Sequence, residues 1–417
     1  MSVHSFDEAN NRVLDQIAAA TPFLVDVRRA GDVVNSLGSE TFLHAGPPLN
    51  GWHEACGALR GAIIGTLVHA GYARSVREAE EVASSSGIAF GSAHDHDAVA
   101  TFGAPICSKT PVFVVENRNT GARAFATINE GRGNALRYGS TDSQTMDRLA
   151  WLEGEFAETL GKAVRHTGGV DLFEVLSQAI HMGDDGHSRQ KASSALFLAT
   201  IAPAIADCGC SPATTAKVLR FLFQNDFFFL PLAMAAAKSA MMGAEGSENS
   251  SIVTAMAFNG VRCGIRVSGA GRRWFTAPVP KIYGQYFQQY SGADAGPVIG
   301  DSEIAETIGI GAFAMAGAPA LARYVGGTVE QAARFSAEMY KVTVREHPRF
   351  TIPALAFRGT PFGIDVRRVV ETGIEPVFNT GIAHRAPGIG QIGAGYGRTP
   401  LAVFREALNV LEQQEAS

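Results

Sequence analysis

The chain has little charge, few cysteines and no long apolar run. Charged residues are 18% of 417, and the formal net charge is −5 with a pI near 6.1. No basic surplus exists to hold a polyanion, so nucleic acid is excluded as an expected partner. The most apolar run, FFFLPLAMAAAKSAMMG at 227–243, contains Pro231 and Lys238 and is too short to span a bilayer. It predicts a buried core helix and no membrane partner. The first residues, MSVHSFDEANNRVLD, lack the apolar segment of a secretory signal. Cys56, Cys107, Cys208, Cys210 and Cys263 form an odd, scattered set, so reduced thiols and a cytoplasmic location are expected.

Motifs are missing as well. There is no P-loop, no Gly-x-Gly-x-x-Gly, no Gly-x-Ser-x-Gly elbow and no His-Glu-x-x-His helix. The Ser-x-Arg-Thr and His-Pro-x-Gln signatures of aspartate and ornithine carbamoyltransferases are absent too. EHPRF at 346–350 has the His-Pro without the Gln.

What is present predicts an α+β chain of several domains. We place an N-terminal α+β part at 1–140, a helical part at 141–245 and a C-terminal α+β part with glycine-rich loops at 246–417. SVRE at 75–78 is a capping-box pattern opening a helix that Gly87 ends. PVFVVEN and ARAFATI predict a hairpin over 111–128. Helices are expected at about 141–168, 171–182, 188–206, 212–223 and 226–243. Asn259-Gly260 predicts a second hairpin, since both residue types tolerate positive φ. Helices are expected again at 302–323 and 328–345, then strand-like FTIPALAF at 350–357 and IEPVFNT at 374–380, and a helix from about 399 to the end.

Five stretches could carry chemistry. HDHD at 94–97 puts His94 and His96 on one face if extended. Metal binding, acid–base work with His96 as the acid–base group and Asp97 as its orienter, and a plain polar turn all fit. HMGDDGHSRQK at 181–191 leaves His181, His187 and Arg189 at a helix junction where one aspartate caps the next helix. QNDFFFLP at 224–231 offers Asn225 as a ligand group and Asp226 as a helix cap. VSGAGRRWF at 267–275 offers Arg272 and Arg273 with flexible backbone for an anion. FRGTPFGIDVRRVVETGIEPVFNTGIAHRAPGIGQIGAG at 357–395 reads as a long loop region carrying Arg358, Arg367, Asn379, His384, Arg385 and Gln391. Asn129, after the first hairpin, completes the candidate set. Catalytic candidates are His96, Asp97, His181 and His384; the Arg, Asn and Gln residues are substrate-binding candidates. We expect HDHD, HMGDDGH and the 379–391 segment to converge on one site.

The runs LHAGPP, HDAV, PVFVVEN, HMGD, SSIVTAMAFNGV, GIRVSG, RWFTAP and the whole of 357–395 resemble the AllG/YlbE/YahG-like family of bacterial proteins. The resemblance covers roughly residues 40–400. It implies an unusual α+β fold with a small helical domain. It also implies a subunit of an oxamate carbamoyltransferase, which splits oxalurate with phosphate into oxamate and carbamoyl phosphate in anaerobic allantoin degradation. FdrA-like and AllH-like partner proteins, a homodimer or other homo-oligomer, and no cofactor are implied with it. Two departures alter polar positions: HDHDAV stands for HHHDAV, and HMGDDGHSRQ for HMGDECHNRN. They admit a related ureido or amide acid as substrate. The alternatives are a metal-dependent hydrolase of linear or cyclic amides, using His94, His96, His181 and His187, and a non-catalytic scaffold subunit.

Overall fold

The computed structural model describes residues 3–85 and 87–415. It is α+β, as expected. A five-stranded sheet has the order 98–99, 123–127, 111–117, 22–29 and 170–171. All its pairs are antiparallel except the first, which is parallel. A four-stranded antiparallel sheet has the order 275–278, 262–267, 253–259, 299–300. A three-stranded sheet joins 283–286, 391–398 and 377–383. Two-stranded pairs join 343–352 to 358–364, antiparallel, and 41–44 to 89–92, parallel.

The apolar run of 227–243 forms the helix Leu230–Met242, buried at every position from Leu230 to Met241. A helix apolar all round belongs in the centre of a protein. This one packs across the five-stranded sheet and reaches both the strand Val253–Asn259 and the short helix Ile304–Thr307. No helix among the described residues is long and apolar enough to cross a membrane.

Three cores result. One joins the inner face of the first sheet, the helices between 152 and 244, and Ile304, Ile308, Ile310, Phe350 and Phe362. The second lies among the strands and helices after Val253, with Phe6. The third gathers residues 30–138 with Ile299 and Ala383. Segments around 100, 130, 187, 228, 302 and 380 lie where these cores meet.

Several local expectations hold. Ser75 accepts the Glu78 amide at 3.2 Å, opening the helix Val76–Ala83, and the Glu78 carboxylate returns to the Arg74 amide at 2.8 Å. That helix stops at Ala83, short of Gly87, with Ser84 as its C-cap. Both hairpins form. At the second, Gly260 alone takes positive φ (+87°). Asn259 instead stays in the strand and accepts the amides of Val261 and Arg262 at 2.9 and 2.7 Å.

Three expectations are corrected. Residues 302–323 do not form one helix. They break into Ile304–Thr307, a 3-10 turn at Gly311–Gly317 and Pro319–Tyr324. Gly309 and Gly311 take positive φ there, and a Cβ on Gly311 would collide with the Glu306 carboxylate. The segment 357–395 is not a loop: it is mostly the strands Arg358–Ile364, Val377–Ala383 and Gln391–Arg398 and the helix Val366–Thr372. Its glycines 393 and 395 sit where a Cβ would strike the backbone of strand 283–286, so they serve close strand approach. Asp226 does not cap the central helix. It pairs with Arg132, and the helix begins at Leu230.

Candidate functional site

The chain turn after the helix Leu172–His181 is held by its own aspartates. Asp184 accepts the Ser193 amide at 2.8 Å and so satisfies a free amide in the first turn of the helix Lys191–Asp207, whose N-cap is Gln190. Asp185 accepts the amides of His187 and Arg189 at 3.0 and 2.8 Å. Its second oxygen takes Asn379 Nδ2 at 2.7 Å. Ser188 Oγ donates to Asn379 Oδ1 at 2.7 Å. HMGDDGH and the 379 strand therefore do meet, 191 to 194 residues apart in sequence.

His187 stands between them, 3% exposed. Its Nδ1 lies 2.9 Å from Glu306 Oε1, and Glu306 also accepts the Ala312 amide at 3.0 Å. Burial works against a charged imidazole, but the Glu306 carboxylate, then Glu303 and Asp185, outweigh it and lift His187 to about 9. Burial pushes Glu303 up to about 8, against the pull of His187. Burial pushes Glu306 up as well, against the pull of His187, so the buried cluster favours holding its protons. Glu303 Oε1 is buried without a hydrogen-bond partner.

His187 and Ser188 border a small cavity of about 40 Å³. Thr101, Asn129, Arg137, Ser302, Thr380 and Gln391 supply its other polar groups. Phe102, Phe227, Leu230, Tyr324 and Ala394 make the rest apolar. Phe102 has φ +51°, a left-handed conformation that a bulky side chain rarely adopts. Such strain persists only where surrounding structure enforces it, and it clusters at functional sites. Asp301 does part of the enforcing: it accepts the amides of Gly46 and Ala100 at 2.7 Å each.

Four of the thirteen candidate residues gather here. Asn129, Asn379 and Gln391 border the cavity or hold its wall, and Gln391 donates to the Tyr324 hydroxyl at 3.1 Å. Asn225 donates to Asn129 Oδ1 at 3.2 Å. It also borders an open groove of about 870 Å³ on the far side of Glu130 and Gly131.

The other nine lie elsewhere. His96 and Asp97 face a separate cleft with Arg272. His96 Nδ1 lies 2.8 Å from Ser36 Oγ. Arg272 is held by Asp97 at 2.7 Å and Glu245 at 3.1 Å, so its guanidinium is already matched by carboxylates. HDHD thus does not join the other two segments through His96. Only His94 comes near, with Nε2 3.5 Å from Asp301 Oδ1. His181 is exposed and bonds Thr351 Oγ1 at 2.8 Å. His384 accepts the Ala386 amide at 2.9 Å. Arg273 faces Glu406, Arg358 pairs with Glu346, and Arg367 with Asp365 and Asp7. Arg385 is exposed, its backbone amide donating to Asp294.

The four histidines considered for a metal are dispersed: His94 faces Asp301, His96 Ser36, His181 Thr351 and His187 Glu306. Among the described residues no group of three or more His, Cys, Asp or Glu could hold a metal ion.

Sequence reasoning missed Arg137, Glu303 and Glu306. A signal for the last two existed: between Asp294 and Arg323 the only charged residues are Asp301, Glu303 and Glu306. Carboxylates isolated in an apolar run are buried with partners or functional.

The fold is α+β, and the small cavity bordered by the buried His187–Glu306 pair is its candidate site. Residues 88–302 match the family model described as oxamate carbamoyltransferase subunit AllG. The chain is 42% identical to the Escherichia coli K12 oxamate carbamoyltransferase subunit AllG over 412 residues, 98% of each chain. It is also 42% identical to the uncharacterized protein YahG of the same organism over 400 residues, 96% of this chain and 84% of that one. A crystal structure of a conserved protein of unknown function from Enterococcus faecalis V583 superposes with a TM-score of 0.96 at 42% identity, covering 98% of each chain. The chain belongs to the AllG family.

Proposed function

We propose that this chain is the subunit of a carbamoyltransferase-like enzyme that carries the transfer chemistry on a small ureido or amide acid. The favoured reaction is phosphorolysis of oxalurate. A phosphate oxygen attacks the ureido carbonyl, the bond from that carbon to the amide nitrogen breaks, and the nitrogen takes a proton. Carbamoyl phosphate and oxamate result. The observation that carries the reading is the buried His187–Glu306 pair, 2.9 Å apart, bordering a small cavity, in a chain 42% identical to a named oxamate carbamoyltransferase subunit.

In this scheme His187 gives its proton to the departing nitrogen and regains one afterwards. Glu306 fixes the ring through Nδ1 and keeps it charged. Protonated Glu303 is a nearby proton reserve. Asn379 holds the turn in place by bonding both Asp185 and Ser188. Two positions where the sequence departs from the family pattern, Asp185 and Ser188, fall on those bonds. That supports a related acid as the second choice of substrate.

The reading also implies FdrA-like and AllH-like partner subunits, a self-associated chain and a cytoplasmic setting. The test is an assay for carbamoyl phosphate from oxalurate and phosphate, run with the chain alone and with both partners. Product that requires this chain and vanishes in His187→Ala supports the reading. No product in any combination, from oxalurate or from related ureido acids, rejects it.

A further inference from the structure

The loop 129–138, NEGRGNALRY, is closed on itself by Glu130 and tied to its surroundings through Asn129, Arg132, Asn134 and Tyr138. Glu130 accepts the amides of Leu136 and Arg137 at 2.6 and 2.9 Å. Its carboxylate is therefore directed at backbone. Arg137, 8% exposed, donates Nη2 to Gly131 O at 2.8 Å and packs 4.7 Å over the Tyr138 ring. Its Nη1 is buried, lies 3.9 Å from Glu130 and has no hydrogen-bond partner. A guanidinium presents its donors as a planar fork suited to a carboxylate. Here one tine is used and the other is left over at a cavity wall.

The same cavity carries other unused donors. Asn129 Oδ1 is occupied by the Gly131 and Asn225 donors, and no described residue accepts from its Nδ2. His187 has its Nδ1 on Glu306, and no described residue bonds its Nε2. Acceptors are scarce by comparison: Asp185 and Glu306 are already taken by amides, Asn379 and His187. Donor-rich, walled by both polar and apolar side chains and about 40 Å³ in volume, the cavity has room for about three waters at roughly 10–15 Å³ each, and so suits a ligand of only a few non-hydrogen atoms.

We propose that this cavity is the binding site for a small α-oxo carboxylate monoanion of the oxamate type, with Arg137 as the residue that recognises its carboxylate. Asn129 and His187 meet the adjacent carbonyl. Arg137 is thereby a specificity residue: it selects acids over neutral amides of the same shape. The inference deepens the transferase reading and rests on it for the choice of oxamate.

The test is calorimetric titration of the full chain, and of its complex with the partner subunits, with oxamate. Oxamide, which lacks the carboxylate, and inorganic phosphate are the comparison probes. Oxamate is expected to bind at least tenfold more tightly than oxamide, and Arg137→Met to weaken it at least tenfold. Arg137→Lys keeps the charge without the fork and is expected to fall between. It also serves if the Met variant does not fold, as judged by its thermal unfolding. Unchanged oxamate affinity in a folded Arg137 variant overturns the inference. So does equal binding of oxamide, competitive displacement of oxamate by phosphate, or no oxamate binding by either the chain or the complex. Arg137-dependent oxamate binding without carbamoyl transfer would leave the site standing and remove the transferase reading. Transfer with an unaltered oxamate KM in Arg137→Lys would do the reverse.

Discussion

Around His96, three cations meet three carboxylates: Lys238, Arg266 and Arg272 face Glu245, Asp95 and Asp97. Around His187, the carboxylates face backbone amides and one imidazole, while an arginine tine and an asparagine amide stay unmatched. The two regions use the same residue types. Burial does not separate them, since Lys238 and Arg266 are fully buried too. Nor do unmatched donors as such, since Arg266 Nε and Trp274 Nε1 are buried without partners as well. Charge pairing does: Arg266 meets Asp95 directly, whereas Arg137 Nη1 stays 3.9 Å from Glu130, whose carboxylate is spent on backbone amides.

Substitution at the two histidines should give the widest contrast. His187→Ala should lower turnover by on the order of 10²–10⁴, the usual worth of a positioned acid. His96→Ala should stay within about threefold, because His96 touches Ser36 and borders a different cleft. Steady-state rates of the assembled enzyme check both. Equal losses would show that the two regions act together after all.

Stability separates them next. Glu306→Gln leaves the buried His187 without its counter-charge, and breaking a buried pair in this way costs about 3–5 kcal/mol. Denaturant unfolding should show a loss of that size. Asp95→Asn should cost less, because Asp95 is partly exposed at 38% and Arg266 keeps the His94 carbonyl and the Trp274 ring. A larger loss for Asp95→Asn would mean that the supporting network is the more critical of the two.

The proton content of the His187 cluster gives the pH dependence. His187 is raised from 6.5 to about 9, so its pairing stabilises fully below 6.5 and is lost as pH rises through 9. Glu303, raised from 4.5 to about 8, also keeps its proton longer folded than unfolded, so it too makes stability fall with rising pH, between 4.5 and 8. His347 acts in the opposite direction. Burial, with Arg349 and Arg345, depresses it to about 3, so unfolding is favoured as pH falls below 6.5. Thermal unfolding between pH 6.5 and 9 should show a steady decline, and Glu303→Gln should flatten its lower part. A wild-type curve flat over that range would contradict the cluster's assigned protonation.

Much of this was legible from the residues. Capping at Ser75, the hairpins at 111–127 and 253–267 and the central helix all followed from local patterns, because local chemistry fixes them. The meeting of 185–188 with 379 was also anticipated. Arg137 was not, since an arginine in NALRY looks like any surface arginine until the loop closes on Glu130. The glycines of 388–397 misled in the other direction. They suggest a ligand loop, yet Gly393 and Gly395 serve backbone approach, a requirement set by strand 283–286 roughly a hundred residues away in sequence.

The smallest effect belongs to the Asp97–Arg272 pair. Its atoms lie 2.7 Å apart, but Arg272 is 49% exposed and shares its charge with Glu245. Exposed pairs of this kind contribute about 0.2–1 kcal/mol. Asp97 also holds φ +56°, a conformation that Asp and Asn tolerate better than most residues. Asp97→Asn should therefore keep the turn, lose only the ion pair and lower stability by under about 1 kcal/mol. The loss should shrink further in high salt, because screening acts on exposed charges first. Asp97→Ala should cost more than Asp97→Asn, since it adds backbone strain to the lost pair. Comparing the two variants by denaturant unfolding at low and high salt separates charge from conformation. If the Asn variant instead lost turnover with its stability intact, the cleft under His96 would have to be counted as part of the working site.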